Sequence, residues 1–482
     1  MGWSIPQVPA RAATSAWSPW VCLLIILAGV LAGLGWAIFS AAGSGLSSLS
    51  SGAWLPLTGV VLAGIMAGIT LYLLGWEVQA LGSWYWNSWR LNMYTAWQRQ
   101  AHQHLCVVSL VTLTPDTQCI PRLIGLASVD DSEKPPTTLL PGEALTPGIS
   151  RFGQLCQVLI SQATSSLASW YPTGHITVVI QTASVAEDSA QEQQQRISAL
   201  WKQQSLPWTL TLEVLPAEFP FEYWNKQLPE LKNPLLVLAL HYRVPDENQA
   251  EFTSALLLSP PSLLPSALQK DAMRLFRAMP LKIARLTAEL KELRDMAQQP
   301  VEAIRLVWFS GLTPPQSQQL LSAANEQSLS LSRSAPMAGI IDFDKGSERY
   351  GPLASWLMMA AAAEAADYDM GSHWLVWADD KQAWAMAAGN QPAVVHHPAE
   401  STPVAPFPAG GMILAVLLNS LLVWFLASAY PAWLFSWPGV FCVLLILGTT
   451  LPGIALALRK ITARLLLPGF ICAAAEHDRD VK

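Results

Sequence analysis

Four stretches of this chain are apolar from end to end and contain no Asp, Glu, Lys or Arg: residues 19–41, 54–76, 409–430 and 436–458. Each has about the 20 residues that cross roughly 30 Å of hydrocarbon as a helix. They come in pairs joined by short uncharged turns, which predicts one transmembrane hairpin over 19–76 and another over 409–458. Only Arg11 precedes the first stretch as a cation, no small-residue cleavage pattern follows it, and a second span comes close behind. These features favour a hairpin over a cleaved leader.

Between the hairpins the periodicity changes. Runs rich in aliphatic and β-branched residues at 105–113, 175–181, 208–214, 234–242 and 251–259 predict strands, with helices at 149–169, 188–204 and 221–229. A long helix is expected over 265–297, because Leu275, Met279, Ile283, Leu286, Leu290 and Leu293 recur three and four apart. Strand 303–309, helix 315–327, an apolar run at 336–343, helix 352–366 and strands 372–378 and 382–388 complete the series. Such alternation implies parallel strands with helices on both faces. Polar turns before 251 and at Asp379-Asp380-Lys381 make the last two strands of each series an antiparallel hairpin. The region 105–390 therefore reads as two βα halves, about 105–260 and 265–390, each closing on a hairpin.

Composition adds an orientation. The chain is 52% hydrophobic and 13% charged, against about 25% charged in soluble domains, and the deficit is concentrated in the four spans. Arg11, Arg90 and Arg99 lie on one side of the first hairpin, and Arg459, Lys460 and Arg464 lie on the same side of the second. The positive-inside rule then puts both termini and the central domain in the cytosol. A bacterial inner membrane is the expected location. The layout is an N-terminal tail (1–18), hairpin 19–76, a Trp-rich juxtamembrane helix (77–104), the α/β domain (105–390), a Pro-rich linker (391–408), hairpin 409–458 and a C-terminal tail (459–482).

Trp17, Trp20, Trp54, Trp76, Trp433 and Trp437 flank the spans as interface anchors, and Trp84, Trp86, Trp89 and Trp97 alternate with polar residues beyond them. That second group predicts a helix leaving the bilayer or lying along it, with packing in the α/β domain as the alternative. Gly29 with Gly33, and Gly64 with Gly68, are spaced for close helix approach. Asn419 is the one strongly polar residue within these spans, and the absence of ionisable groups points to an anchor rather than an ion pathway. The six cysteines (Cys22, Cys106, Cys119, Cys156, Cys442 and Cys472) form no CxxC pair, so no zinc site or disulfide framework is expected. A net charge of −6 without a basic cluster argues against a nucleic-acid partner.

No GxSxG, GxxxxGK[ST] or GxGxxG occurs. His396-His397 sits in the Pro-rich linker, His102 and His104 at a helix end, and Asp342 and Asp344 at a strand end beside Lys345 and Glu348. Each has an ordinary reading as linker, helix end or turn. The segment 132–148 is a Pro/Thr-rich loop, and QEQQQR (191–196) reads as a solvated helix face.

The two-halved order, with the strings AEFTSALLLS, QLLSAANEQ and FDKGSERYGPLASW, resembles the thiolase and ketoacyl-synthase-like fold. A plain doubly wound sheet is the competing architecture. The resemblance implies a nucleophilic cysteine at the start of a first-half helix, activated by the helix dipole. The matching stretch, LEVLPAEFPFEYWNKQL (212–228), has none. The expectation is therefore a non-enzymatic descendant with no cofactor or metal, working as a scaffold or adaptor for a protein partner at the bilayer, with homo-oligomerisation open. The topology, the Trp-rich juxtamembrane segment and the degenerate domain together resemble inner-membrane accessory proteins of type VI secretion systems, which implies effector loading or an accessory role. The alternatives are a membrane-tethered enzyme acting on acyl or lipid substrates, and an immunity protein against a membrane-acting toxin.

Overall fold

The structure is a computed structural model that describes residues 3, 5–6, 8–44, 51–127, 139, 149–182, 189–242, 251–332, 335–344, 351–395 and 404–480. The 132–148 loop apart from Leu139, His396-His397, Lys345 and Glu348, and most of the first hairpin's turn lie outside these residues.

The chain opens with helices α1 (Pro19–Ser44) and α2 (Ser51–Ala101), then strand β1 (His104–Leu113) and helices α3 (Cys119–Leu123), α4 (Arg151–Ala163) and α5 (Leu167–Trp170). There follow β2 (His175–Thr182), α6 (Ala190–Gln203), β3 (Thr209–Val214), α7 (Phe221–Glu230), β4 (Leu235–His241) and β5 (Phe252–Ser259). The second series is α8 (Ser266–Asp271), β6 (Arg274–Phe276), β7 (Met279–Leu281), α9 (Leu286–Asp295), β8 (Ile304–Ser310) and α10 (Pro314–Glu326). It continues through β9 (Ile340–Asp342), α11 (Ala354–Asp367), β10 (Ser372–Ala378) and β11 (Ala383–Gly389). The chain closes with α12 (Ala409–Ala429), α13 (Pro431–Leu434) and α14 (Trp437–Asp480). These elements form two compact units, one of Met1–Ile5 with Ala96–His396 and one of Pro6–Thr95 with His397–Lys482.

In the α/β unit the strands form one mixed sheet, in the order β3-β2-β4-β5-β1-β6-β11-β10-β8-β9. Read outward from the centre, β1-β5-β4-β2-β3 matches β6-β11-β10-β8-β9. In both halves the outer three strands are parallel, and the fourth strand of each closing hairpin runs antiparallel to its neighbours. The halves meet where β1 pairs antiparallel with β6, His104 opposite Phe276 and Cys106 opposite Arg274. The duplication expected from the element order is therefore present in the sheet.

One expected element is overturned. Residues 265–297 are not one helix but α8, the short strands β6 and β7, and α9. Leu286, Leu290 and Leu293 keep the helical face and are buried on α9. Leu275 and Met279 are buried on strands instead. Pro280, which lacks an amide donor, follows Met279 on β7. Sheet pairing to β1 and β11 outweighs the local helical spacing, and β6 turns out to be the first strand of the second half.

Two apolar layers sandwich the sheet. On β4, Leu235, Val237 and Ala239 face one core and Leu236, Leu238 and Leu240 face the other. This is why that strand is apolar at every position rather than alternating. The first core holds α7 and α11, and its strand residues come from both halves. Its centre is α11, where Ala360, Ala361 and Ala362 are fully buried; such small residues let a helix pack closely on all sides. Gly311, at φ +78, turns β8 toward α10 where a Cβ would strike the Ala378 carbonyl.

The second unit is helical. Among the described residues four helices are long and apolar enough to cross a membrane, within 19–39, 57–101, 409–429 and 437–475. Here α2 is one continuous helix of 51 residues and α14 one of 44, about 75 and 65 Å at 1.5 Å per residue. Both outrun a 30 Å hydrocarbon layer, so the Trp-rich segment and most of the C-terminal tail extend their spans. Gly29, Gly33 and Gly68 face the partner helix: a Cβ at Gly33 would come 2.7 Å from Val61, one at Gly68 3.0 Å from Ile25, and one at Gly29 would collide with Ile65. Gly64 has nothing within 4 Å and is no packing glycine. The less forgiving contact is at Gly410, whose Cβ would lie 2.6–2.7 Å from backbone atoms, those of Leu73 and Leu74, rather than from a side chain.

Candidate functional site

Helix α7 follows β3, the position where the thiolase resemblance expects a nucleophile at the helix start. The first helical residue is Phe221, fully buried. Its ring lies 4.6 Å from Trp377, 5.3 Å from Trp384 and 5.7 Å from Phe219. The N-cap is Pro220, which offers no side-chain acceptor. Three aromatic rings thus fill the space above a helix N-terminus whose dipole would otherwise favour a thiolate.

Polar contacts fix this plug in place. Gln181 on β2 donates to the carbonyls of Pro216 and Glu218 at 2.7 Å each, holding the β3–α7 loop. Trp224 donates to the Phe276 carbonyl at 2.9 Å, and Asn225 exchanges two hydrogen bonds with the Ala278 backbone. First-half helix α7 is thereby bolted to second-half strand β6 and to the turn between β6 and β7.

None of the three domain cysteines has an activated thiol. Burial pushes the Cys106 thiol up to about 11, against a smaller opposing effect of Arg274. Burial also pushes Cys119 up to about 11, helped by Asp116. Cys156 is fully buried and raised further by burial. At pH 7 a thiol near 11 is about one part in 10,000 thiolate, and the thiolate is the nucleophile.

The remaining candidates are structural. Burial drives His373 on β10 down to about 3, and it accepts from the Trp308 indole at 3.2 Å, so the ring is neutral near pH 7. His102 reaches the Met296 carbonyl and His104 the His102 carbonyl. Burial is the main influence on His104 and lowers its pKa. Asp344 accepts from the Ser310 hydroxyl at 2.8 Å and the Gly311 amide at 2.6 Å, joining the ends of β8 and β9. Glu251, with its side chain fully buried, pairs with Arg151 at 2.5 Å and accepts from the Leu139 amide, which pins that residue of the 132–148 loop. The 191–196 run is only partly solvated, since Gln193 is buried and Glu192 closes a capping box with Ser189. No cluster of three His, Cys, Asp or Glu side chains occurs among the described residues. A groove of about 720 Å³ lies beside the open edge strand β3, lined by Trp201, Lys202, Trp208, Leu210 and Leu212 among others.

In the helical unit the expected interface residues divide. Trp20 and Trp437 are 72% and 89% exposed, and Trp433 is also exposed, as bilayer-facing anchors are. Trp86 and Trp97 are buried and donate to the carbonyls of Pro9 and Trp3, while Trp76 donates to that of Ser15. The Arg11 guanidinium stacks 3.7 Å over Trp86, and Trp86 and Trp89 pack on Phe470. Trp84 packs against Tyr85 with the two rings tilted at 57°; Trp54 lies within α2, its side chain outside the described set. Arg99, Lys460 and Arg464 are exposed, Arg90 is half-buried, and Arg459 donates to the Pro406 carbonyl at 2.9 Å. The spans read from sequence stop one residue short of Glu77, which is buried against α12 and which sequence reasoning missed.

No family model and no curated protein matches this chain. It is similar to cerulenin-bound OleA of Xanthomonas campestris, at 9% identity and a TM-score of 0.37, covering 60% of this chain and 98% of that one. It is also similar to 3-oxoacyl-(acyl carrier protein) synthase III, FabH, of Pseudomonas aeruginosa, at 12% identity and a TM-score of 0.37, covering 61% and 100%. Overlays this loose transfer no chemistry. The mixed α/β fold stands on the duplicated strand order itself.

Proposed function

We propose that this chain is a membrane-anchored domain of acyl-processing descent that has lost thiol chemistry and acts by binding an acyl- or lipid-bearing protein partner. The observation that carries this reading is Phe221: the helix start where the fold would place a nucleophile is closed by Phe221, Trp377 and Trp384. The thiolase-like fold favours the acyl side of the proposal, and the aromatic plug favours binding over transfer. Effector loading in a type VI system and toxin immunity draw no support from the fold.

The bacterial inner membrane, with termini and α/β domain cytosolic, is part of the same proposal. It is supported by Arg11, Arg90, Arg459, Lys460 and Arg464, which all lie beyond the same end of the spans. The Ser15–Trp76 and Pro9–Trp86 hydrogen bonds likewise keep the N-terminal tail beside the extension of α2.

The test uses the full chain in nanodiscs with acylated and unacylated acyl carrier protein. The expected result is a stoichiometric complex that prefers the acylated carrier, with no acyl adduct on the chain by intact mass. An adduct on any residue, or turnover of the thioester, would establish the membrane-tethered enzyme instead. Equal or absent binding of both carriers would remove the acyl part of the proposal.

A further inference from the structure

Two adjacent residues on α2, Trp76 and Glu77, touch the lead-in segments of both hairpins. The Trp76 indole donates to the Ser15 carbonyl at 2.7 Å, and one turn earlier the Tyr72 hydroxyl accepts from the Ser18 amide at 2.9 Å. These contacts hold the residues just before Pro19, where α1 begins.

On another side of α2, the Glu77 carboxylate accepts from the Gly411 amide at 2.8 Å. Gly411 is the third residue of α12, whose N-cap is Pro408 and which has no side-chain cap of its own. The first amides of a helix lack intrahelical partners and carry the positive end of its dipole. A carboxylate from another helix therefore supplies the cap that α12 lacks. Glu77 is 1% exposed, and its second oxygen is buried without a hydrogen-bond partner among the described residues.

Gly410 makes this approach possible, because a side chain there would meet the backbone of Leu73 and Leu74. The same lead-in is held from α14 by the Arg459 guanidinium on the Pro406 carbonyl. The starts of α1 and α12, residue 76 of α2 and residue 459 of α14 thus coincide with the ends of all four apolar stretches.

We propose that Trp76 and Glu77 form a two-sided latch at one membrane surface. Trp76 sets the register of the first hairpin, and Glu77 sets that of the second by capping α12 across the bundle. The latch goes beyond the partner-binding reading and does not depend on it. It marks the bilayer boundary at residues 76–77 and 459, so the remainder of α2 and α14 stands outside the hydrocarbon as a two-helix stalk.

Hydrogen exchange of the full chain in nanodiscs tests this. Glu77→Ala is expected to speed exchange across 409–412 by about tenfold or more, as loss of a charge-assisted bond allows, and to leave 15–20 unchanged. Trp76→Phe is expected to do the reverse. Glu77→Gln, whose amide oxygen still accepts from Gly411, is expected to retain most of the protection. Unchanged exchange at 409–412 in a folded Glu77→Ala protein would overturn the latch, as would equal loss at both lead-ins in either variant. A nitroxide at residue 78 or 460 reporting hydrocarbon depth would overturn the boundary.

Discussion

Replacing Phe221 with alanine tests whether the start of α7 is packed core. The Phe221 ring is fully buried with three aromatic neighbours at 4.6–5.7 Å. Truncating such a side chain costs about 3–5 kcal/mol, from lost transfer energy and a cavity that closes only partly. Each aromatic pair accounts for ~0.5–1.5 kcal/mol of interaction, already contained in that range. Because α7 is also tied to β6 and to the turn between β6 and β7 through Trp224 and Asn225, the backbone resists collapse into the hole, and we take a cost of about 4 kcal/mol. For a domain of this size that corresponds to a fall in Tm of about 10 °C. The assay is thermal unfolding of the full chain in detergent, followed by tryptophan fluorescence, since Trp377 and Trp384 border the cavity. Phe221→Leu, which keeps most of the volume, is expected to cost about 1–1.5 kcal/mol. A Tm fall below about 2 °C for Phe221→Ala would refute the plug and reopen the position as a ligand pocket.

Three further outcomes are expected. Gly410→Val should destabilise hairpin docking strongly, read as lost monodisperse protein on size exclusion, whereas Gly64→Ala should be silent because nothing lies within 4 Å of it. Cys106, fully buried and with its thiol raised to about 11 by that burial, should resist a disulfide reagent near pH 7.5 until the domain unfolds; modification within minutes in the native state would contradict that burial. His373 is held at about 3 by burial, below its ordinary 6.5, so the unfolded chain binds the proton more readily. Its contribution to stability is complete above about pH 6.5 and is lost as pH falls toward 3, and His373→Leu should flatten that part of a stability–pH curve measured by urea unfolding.

Much of the strand pattern could be read directly because its signal is local. The β4 run Leu235–Leu240 is apolar at every position, and a short apolar run with polar ends has few alternatives to a buried strand. The failure at 265–297 is equally physical. Leu275, Met279 and Ile283 have helical spacing, yet each of the short strands around Pro280 finds a partner strand far away in sequence. No local window contains that partner. Glu77 was passed over for a similar reason: read along the chain it is the first polar residue after a span, and only α12 arriving 334 residues later turns it into a buried cap.

The amino-acid sequence by itself determined the four long apolar stretches, the two βα halves and the absence of cysteine in 212–228, because each follows from local hydropathy, spacing or residue identity. Tertiary structure decided that the halves share one strand order across a β1–β6 seam. It also decided that Phe221 packs against two second-half tryptophans at the start of α7, and that Trp76, Trp86 and Trp97 hold the N-terminal tail by hydrogen bonds. Those facts depend on pairs of residues 61 to 172 positions apart, and long-range pairing is settled only by which contacts the whole chain can satisfy together.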